Sequence, residues 1–220
     1  LNKYCTRLGD NSLVLGQRLA EWCGHGPALE EDIALTNISL DLVGQTRGFY
    51  SYACTLENKG RTEDDLAFLR NERDFTNCLM AEQPNGDFGQ TILRQFLISS
   101  FHVLQYGALG NSKDETLSAL ANKSLKEVVY HRRHSADWVI RLGQGTAESA
   151  HRMALGLEAA GARVGRLARH EVVELADGAQ LSAKDDRHAV AEEVGLLHGV
   201  LWAGLTDSAG NYEAHVVANE

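Results

Sequence analysis

Only two prolines, Pro27 and Pro84, punctuate the 220 residues of this chain, so long stretches are free to run as unbroken helix. The stretches use that freedom. After Pro27, apolar residues recur from about Ala28 to Glu57, and a helix of that length reaches roughly 45 Å at 1.5 Å per residue. A second run, from about Asp114 to Leu142, repeats Leu117, Leu125, Val128 and Val139 at helical spacing. Sustained period-2 alternation bounded by hairpin turns is missing, and no repeat of solenoid length is visible. These features predict an all-α chain, in one domain over residues 1–220, whose short loops make neighbouring helices antiparallel.

Local signals set the expected boundaries. Asp10, Asn11 and Ser12 offer N-caps to an apolar segment, Leu13 to Cys23, which stops at "GHGP". Thr62 and Asp65 resemble a capping box and open a third helix running to about Glu82. "QPNGD" reads as a turn. A fourth helix carries Ile92, Phe96, Val103 and Leu104 and ends at "GNSKDE"; the fifth closes at "GQGT". Further helical patterns occupy about Ala147 to Val173 and Asp186 to Leu205.

Composition narrows the function. The chain is 44 % hydrophobic and carries a net charge of −9, with a pI near 5.5. That acidity argues against a nucleic-acid or anionic-membrane surface, which needs clustered Lys and Arg. No apolar run approaches the roughly 20 residues of a membrane span, and "LNKYCTRLGDNS" lacks the apolar region of a signal peptide. Cys5, Cys23, Cys54 and Cys78 form no CxxC pair, so they read as buried reduced thiols. A cytoplasmic protein is expected.

Two helical stretches hold candidate chemistry. At 100° per residue, Ile33, Asn37, Leu40, Asp41, Gly44 and Gly48 share one face of the second helix, and Ile38, Leu42 and Gln45 another. Apolar residues surround its circumference, which predicts burial on most sides. Glycines 44 and 48 would admit a close neighbour. Asp41 and Asn37, if buried, must be paired, and they read as a register-locking polar network or as a ligand or proton-relay site. In the fifth helix, "KEVVYHRRHSADW" sets Glu127, His131, His134 and Trp138 on one stripe. Glu and His at that spacing could chelate a metal, although an exposed His stripe or an inter-subunit ion pair is the commoner outcome. His25, His102, His151, His170, His188, His198 and His215 show no ligand spacing. There is no GxSxG, P-loop or strand-borne GxGxxG.

Three motifs, in order, carry a family likeness: "LVLGQRLAEWCGHGPALEEDIALTNISLDLVGQTR", "LAFLRNERDFTNCLMAEQPNGDFGQTILRQF" and "KEVVYHRRHSADWVIRLGQGT". Together they resemble the C-subunit family of phenylacetyl-CoA epoxidase, a multicomponent ring 1,2-monooxygenase. The likeness is dense over residues 4–146 and weak after about residue 163. It implies a ferritin-like antiparallel helical bundle with additional C-terminal helices. The family usually finishes with a helix reading like "HTEHLG"; this chain ends "NYEAHVVANE", so it either stops before that helix or has diverged there.

The likeness also implies where a di-iron centre would lie, with one acid on each of two helices and Glu-x-x-His on each of two others. The corresponding positions are Glu21, then Leu42 and Gln45, then Ser99, then Val128 and His131. Of the six, only Glu21 and His131 keep a ligand. A shift of one residue would recruit Asp41 and Glu127, but their i+3 partners are Gly44 and Tyr130. The resemblance therefore implies a non-catalytic structural subunit in aerobic phenylacetate catabolism. The di-iron centre is expected on a partner catalytic subunit and NADPH on a reductase subunit. The alternative is a self-sufficient ferritin-like metal-binding protein or oxidoreductase using Asp41, Glu127, His131 and His134.

Overall fold

A computed structural model of the chain describes residues 1–160. Five α-helices run in order: α1 (Asn2–Ala20), α2 (Leu29–Glu57), the short α3 (Glu63–Phe68), α4 (Phe88–Leu109) and α5 (Glu115–Gly143). Residues 147–160 form a further helix, α6. Among the described residues there is no strand, and no helix is long and apolar enough to cross a membrane. The rest of the helix expected over about 147–173, and the one expected over about 186–205, lie outside the described residues.

The bundle is two helical hairpins, α1 on α2 and α4 on α5, with α2 also packed against α5. The α1–α2 register is written in hydrogen bonds: Asn2 Nδ2 donates to Ala53 O, Thr46 Oγ1 to Gly9 O and Ser39 Oγ to Gly16 O. Rising numbers on one helix meet falling numbers on the other, so the pair is antiparallel. Gly9 sets how closely they approach, because a Cβ there would lie 2.3 Å from the Tyr50 ring. Side-chain caps start the later helices. Thr62 and Asp65 form the expected capping box, Asp87 accepts from Gln90 N, and Asp114 accepts from Leu117 N. The αL residue Asn58 ends α2.

Five local expectations fail. Asp10, Asn11 and Ser12 do not cap α1; they are buried in its middle. The third helix stops at Phe68 rather than near Glu82. One cause explains both. The Asp10 carboxylate accepts from Tyr50 Oη at 2.6 Å, Arg70 Nη2 at 2.5 Å and Thr76 N at 2.7 Å. Asn11 Oδ1 accepts from Cys78 N at 2.6 Å. Amide groups that would continue α3 are thus claimed by side chains of α1, and the chain makes a 3₁₀ turn at Glu72–Asp74 instead. Third, α2 is not buried all round: Ile33, Leu40 and Val43 are exposed. A Cβ on Gly44 would meet nothing within 4 Å, whereas on Gly48 it would lie 2.9 Å from Leu120. Only Gly48 admits a neighbour. Cys23 is also exposed, unlike the other three thiols.

The apolar core divides in two. One cluster gathers Leu15, Leu35, Leu42, Ile92, Phe101 and Val139 among others, and the second Leu8, Phe49, Tyr106, Leu117 and Val128. Along α2, α4 and α5 the switch between clusters falls at buried polar residues: Gln45, His102 and His131. A polar layer therefore crosses the bundle.

The Asp10 network predicts an asymmetry between two arginines. Arg70 is nearly buried on a wholly buried carboxylate, whereas the Arg61–Glu57 pair has Arg61 largely exposed. Arg70→Ala leaves Asp10 uncompensated and costs about 3–5 kcal/mol in urea unfolding. Arg61→Ala leaves the unfolding midpoint where it was.

Candidate functional site

The polar layer is assembled by three helices. From α2 come Asp41 and Gln45, from α4 Ser99, His102 and Tyr106, and from α5 Glu127, His131 and Ser135. His131 Nε2 lies 2.9 Å from Asp41 Oδ2. A carboxylate only accepts, so the imidazole proton sits on Nε2, which leaves the buried Nδ1 without a partner. One turn away, Gln45 Nε2 donates to Glu127 Oε2 at 2.9 Å, and Tyr106 Oη donates to Gln45 Oε1 at 3.4 Å. His102 stacks on Tyr106 with centroids 5.2 Å apart, and Tyr106 stacks on Phe49. The Asp41 side chain opens the layer towards water, 39 % exposed against 0 % for His131.

Burial decides the protonation states. It pushes the His131 imidazole below its ordinary range, with the Asp41 carboxylate pulling the other way. It pushes His102 down to about 3, helped by the neighbouring His131. The same loss of water raises the Glu127 carboxyl, against the hydrogen bond from Gln45. Two neutral imidazoles beside a reluctant acid make a polar core that carries little charge.

Of the positions singled out by resemblance, five are buried: Leu42, Gln45, Ser99, Val128 and His131. Leu42 and Val128 are members of the apolar clusters. Ser99 Oγ donates to Gln95 O at 2.6 Å within its own helix. Glu21 stands apart. It is exposed at the end of α1, held by Arg18 at 2.8 Å and by Asn85 at 2.9 Å. The α1–α2 register sets it level with about residue 34 of α2, on the order of 15 Å along the axis from Gln45 at 1.5 Å per residue.

The second candidate set, Asp41, Glu127, His131 and His134, separates into pairs. Asp41 meets His131, Glu127 meets Gln45, and His134 Nε2 lies 3.2 Å from Glu31 Oε2 without hydrogen-bond alignment. Among the described residues, no group of three or more His, Cys, Asp and Glu side chains is placed to hold a metal ion. Nor is the His stripe exposed: His131 is sealed and His134 nearly so. Asn37, grouped with Asp41 in the sequence, faces water. His102 is the residue that sequence reasoning missed. It shares its helix face with Gln95, Ser99 and Gln105, and nothing in its spacing singles it out.

These directions fix a pH dependence. Imidazoles held below their ordinary value of 6.5 contribute stability that is complete above 6.5 and is lost as pH falls towards the folded-state value. The melting temperature should fall from pH 7.5 to 5.5. Each such group contributes up to about 1.4 kcal/mol per pH unit below 6.5. His102→Phe keeps an aromatic ring against Tyr106 and flattens that slope; an unchanged slope would show that His102 is not titrating with unfolding.

Comparison with known proteins gives the arrangement a lineage. Residues 1–192 match the family described as phenylacetic acid catabolic protein. Over 153 residues the chain is 54 % identical to a protein of Escherichia coli (strain K12) named as the C subunit of 1,2-phenylacetyl-CoA epoxidase. That match takes in 70 % of this chain, and the chain spans 61 % of the relative's length. On the strength of the family match, together with an all-α bundle of the expected kind, the chain belongs to the phenylacetic acid catabolic protein family.

Proposed function

We propose that the chain is a non-catalytic structural subunit of a 1,2-phenylacetyl-CoA epoxidase complex in the cytoplasm, supporting a di-iron catalytic subunit. The iron would reside on that partner, and NADPH would serve a separate reductase subunit. The observation that carries this reading is the donor set at the six positions. A pair of hard cations needs several carboxylates around open coordination sites. Here two positions are hydrocarbon, one is an amide and one a hydroxyl bonded within its own helix. The imidazole is engaged by Asp41, and the one carboxylate lies off the layer. Those residues do not fit a di-iron centre, and no oxygen chemistry is derived through one.

What the residues do instead is tie helices together. The Asp41–His131 and Gln45–Glu127 pairs join α2 to α5, and Tyr106 joins α4 to α2. Such a network fixes register in a bundle that has to present a defined surface to a partner.

The test is elemental analysis of iron in the chain expressed alone and co-expressed with the catalytic subunit. The expected result is iron only in the co-purified pair, with this chain pulled down by its catalytic partner. About two irons per isolated chain, the load of a ferritin-like carboxylate site, would overturn the proposal. Fe(II), Mn(II) or Zn(II) should leave the melting temperature of the isolated chain unchanged. A rise that Glu127→Ala and His131→Ala both abolish would favour the self-sufficient metal protein instead.

A further inference from the structure

Away from the polar layer, α4, α6 and the connection before α4 line a cavity of about 180 Å³. Met80, Leu93 and Gly156 form apolar wall, and Gln83, Gln90 and Arg94 bring polar groups to it. Arg94 is the unusual member. It is 5 % exposed. One terminal nitrogen donates to Gln83 O and the other to Asn85 Oδ1 at 2.6 Å. Both acceptors are uncharged. Its Nε is buried with no partner at all.

A cation withdrawn from water onto neutral acceptors is among the costliest groups a core can hold. The surroundings make it costlier. Burial pushes the guanidinium down to about 10, and Arg18 pushes the same way more strongly than Glu21 resists. It is still fully charged near neutral pH. A guanidinium has five N–H groups, so the Nε–H and further N–H groups are left after the two bonds to the connection. That leaves an edge matched to a planar oxyanion.

We propose that this cavity binds a small organic carboxylate, its charged end towards Arg94, which lines it, and its apolar body against Met80, Leu93 and Gly156. Size sets the upper limit. At about 180 Å³ the space falls short of the roughly 300–1,000 Å³ of sites for drug-sized ligands. An acid with a short chain or a single ring fills it. The apolar wall sets the lower limit, because inorganic phosphate would leave it unused. The inference stands on Arg94 and the cavity, and does not depend on the structural role proposed above.

The test is titration calorimetry of the full 220-residue chain with benzoate, benzyl alcohol and inorganic phosphate. Saturable benzoate binding is expected with a Kd of about 1 mM or tighter, and benzyl alcohol and phosphate should bind at least about tenfold more weakly, a difference of 1.4 kcal/mol. Two variants locate the site. Arg94→Lys keeps the charge but loses the fork. Gly156→Leu leaves Arg94 untouched and fills the space from α6, where a Cβ would meet its nearest neighbour at 3.4 Å, an ordinary contact. Both should lose benzoate binding, with the Gly156→Leu chain keeping its helical circular dichroism. No saturable binding to the unaltered chain, phosphate binding as tight as benzoate, or undiminished binding by folded Gly156→Leu would each overturn the proposal.

Discussion

The carboxylate of Asp10 has no contact with water, and the fold is arranged to answer it. Tyr50 reaches it from α2, Arg70 from just beyond α3, and Thr76 supplies both its amide and its hydroxyl. Arg70 in turn lies 4.1 Å over the Phe75 ring. A buried acid stabilises a fold only when its lone pairs and its charge are both met; here three segments distant in sequence must converge to meet them. The cost falls on secondary structure, since the backbone after Phe68 abandons the helix to reach α1. The result is a long connection held at a fixed place. Once it is fixed, Glu82 O is available to Arg18, and Gln83 O and Asn85 Oδ1 to Arg94. The wall of the cavity is therefore a consequence of Asp10.

The polar layer solves a different problem. Two apolar clusters, stacked along the bundle axis, would pack well as one continuous core. Instead Gln45, His102 and His131 divide them. Neutral imidazoles cost less to bury than charged ones, and burial biases both towards the neutral form. The Asp41–His131, Gln45–Glu127 and Tyr106–Gln45 pairs cross between helices, so a slip of either hairpin would strand a polar group in hydrocarbon. Apolar contacts alone tolerate such slips more readily than a directional pair does. The layer keeps the helices in register with hydrogen bonds.

How much of this was legible in the sequence depends on range. The limits of α2 and α5 could be read because periodicity and caps are local: Asp114 caps its own helix, and Asn58 ends its own. The start of α1 could not. Asp and Asn are residues that cap helices, but here Asp10 and Asn11 serve distant donors, and only Arg70, Thr76 and Cys78 reveal it. The face of α2 that carries Ile33, Leu40 and Val43 looked buried because nothing in one helix says which neighbours the fold supplies. Which six positions to compare came from resemblance alone. The partner of His131 was not legible, because spacing within α5 cannot name Asp41 on α2. His102 was invisible for a related reason: its ring partner Tyr106 shares its helix, but its nearness to His131 of α5 is set only by the fold.

Three buried titratable groups in one small bundle thus meet the same desolvation cost in three ways. Asp10 is neutralised by a counter-ion and enclosed by donors, so its network is complete. His131 escapes the cost by staying neutral, at the expense of one unmatched nitrogen. Arg94 does neither. A guanidinium cannot shed its proton in the physiological range, its two bonded acceptors are uncharged, and Arg18 adds like charge. Clamping the connection explains its two terminal nitrogens, but a neutral donor such as glutamine could serve one of those carbonyls without the charge. The clamp accounts for the side chain's length and position. It does not account for a positive charge beside a cavity with apolar walls, and that remainder is what a bound carboxylate would complete.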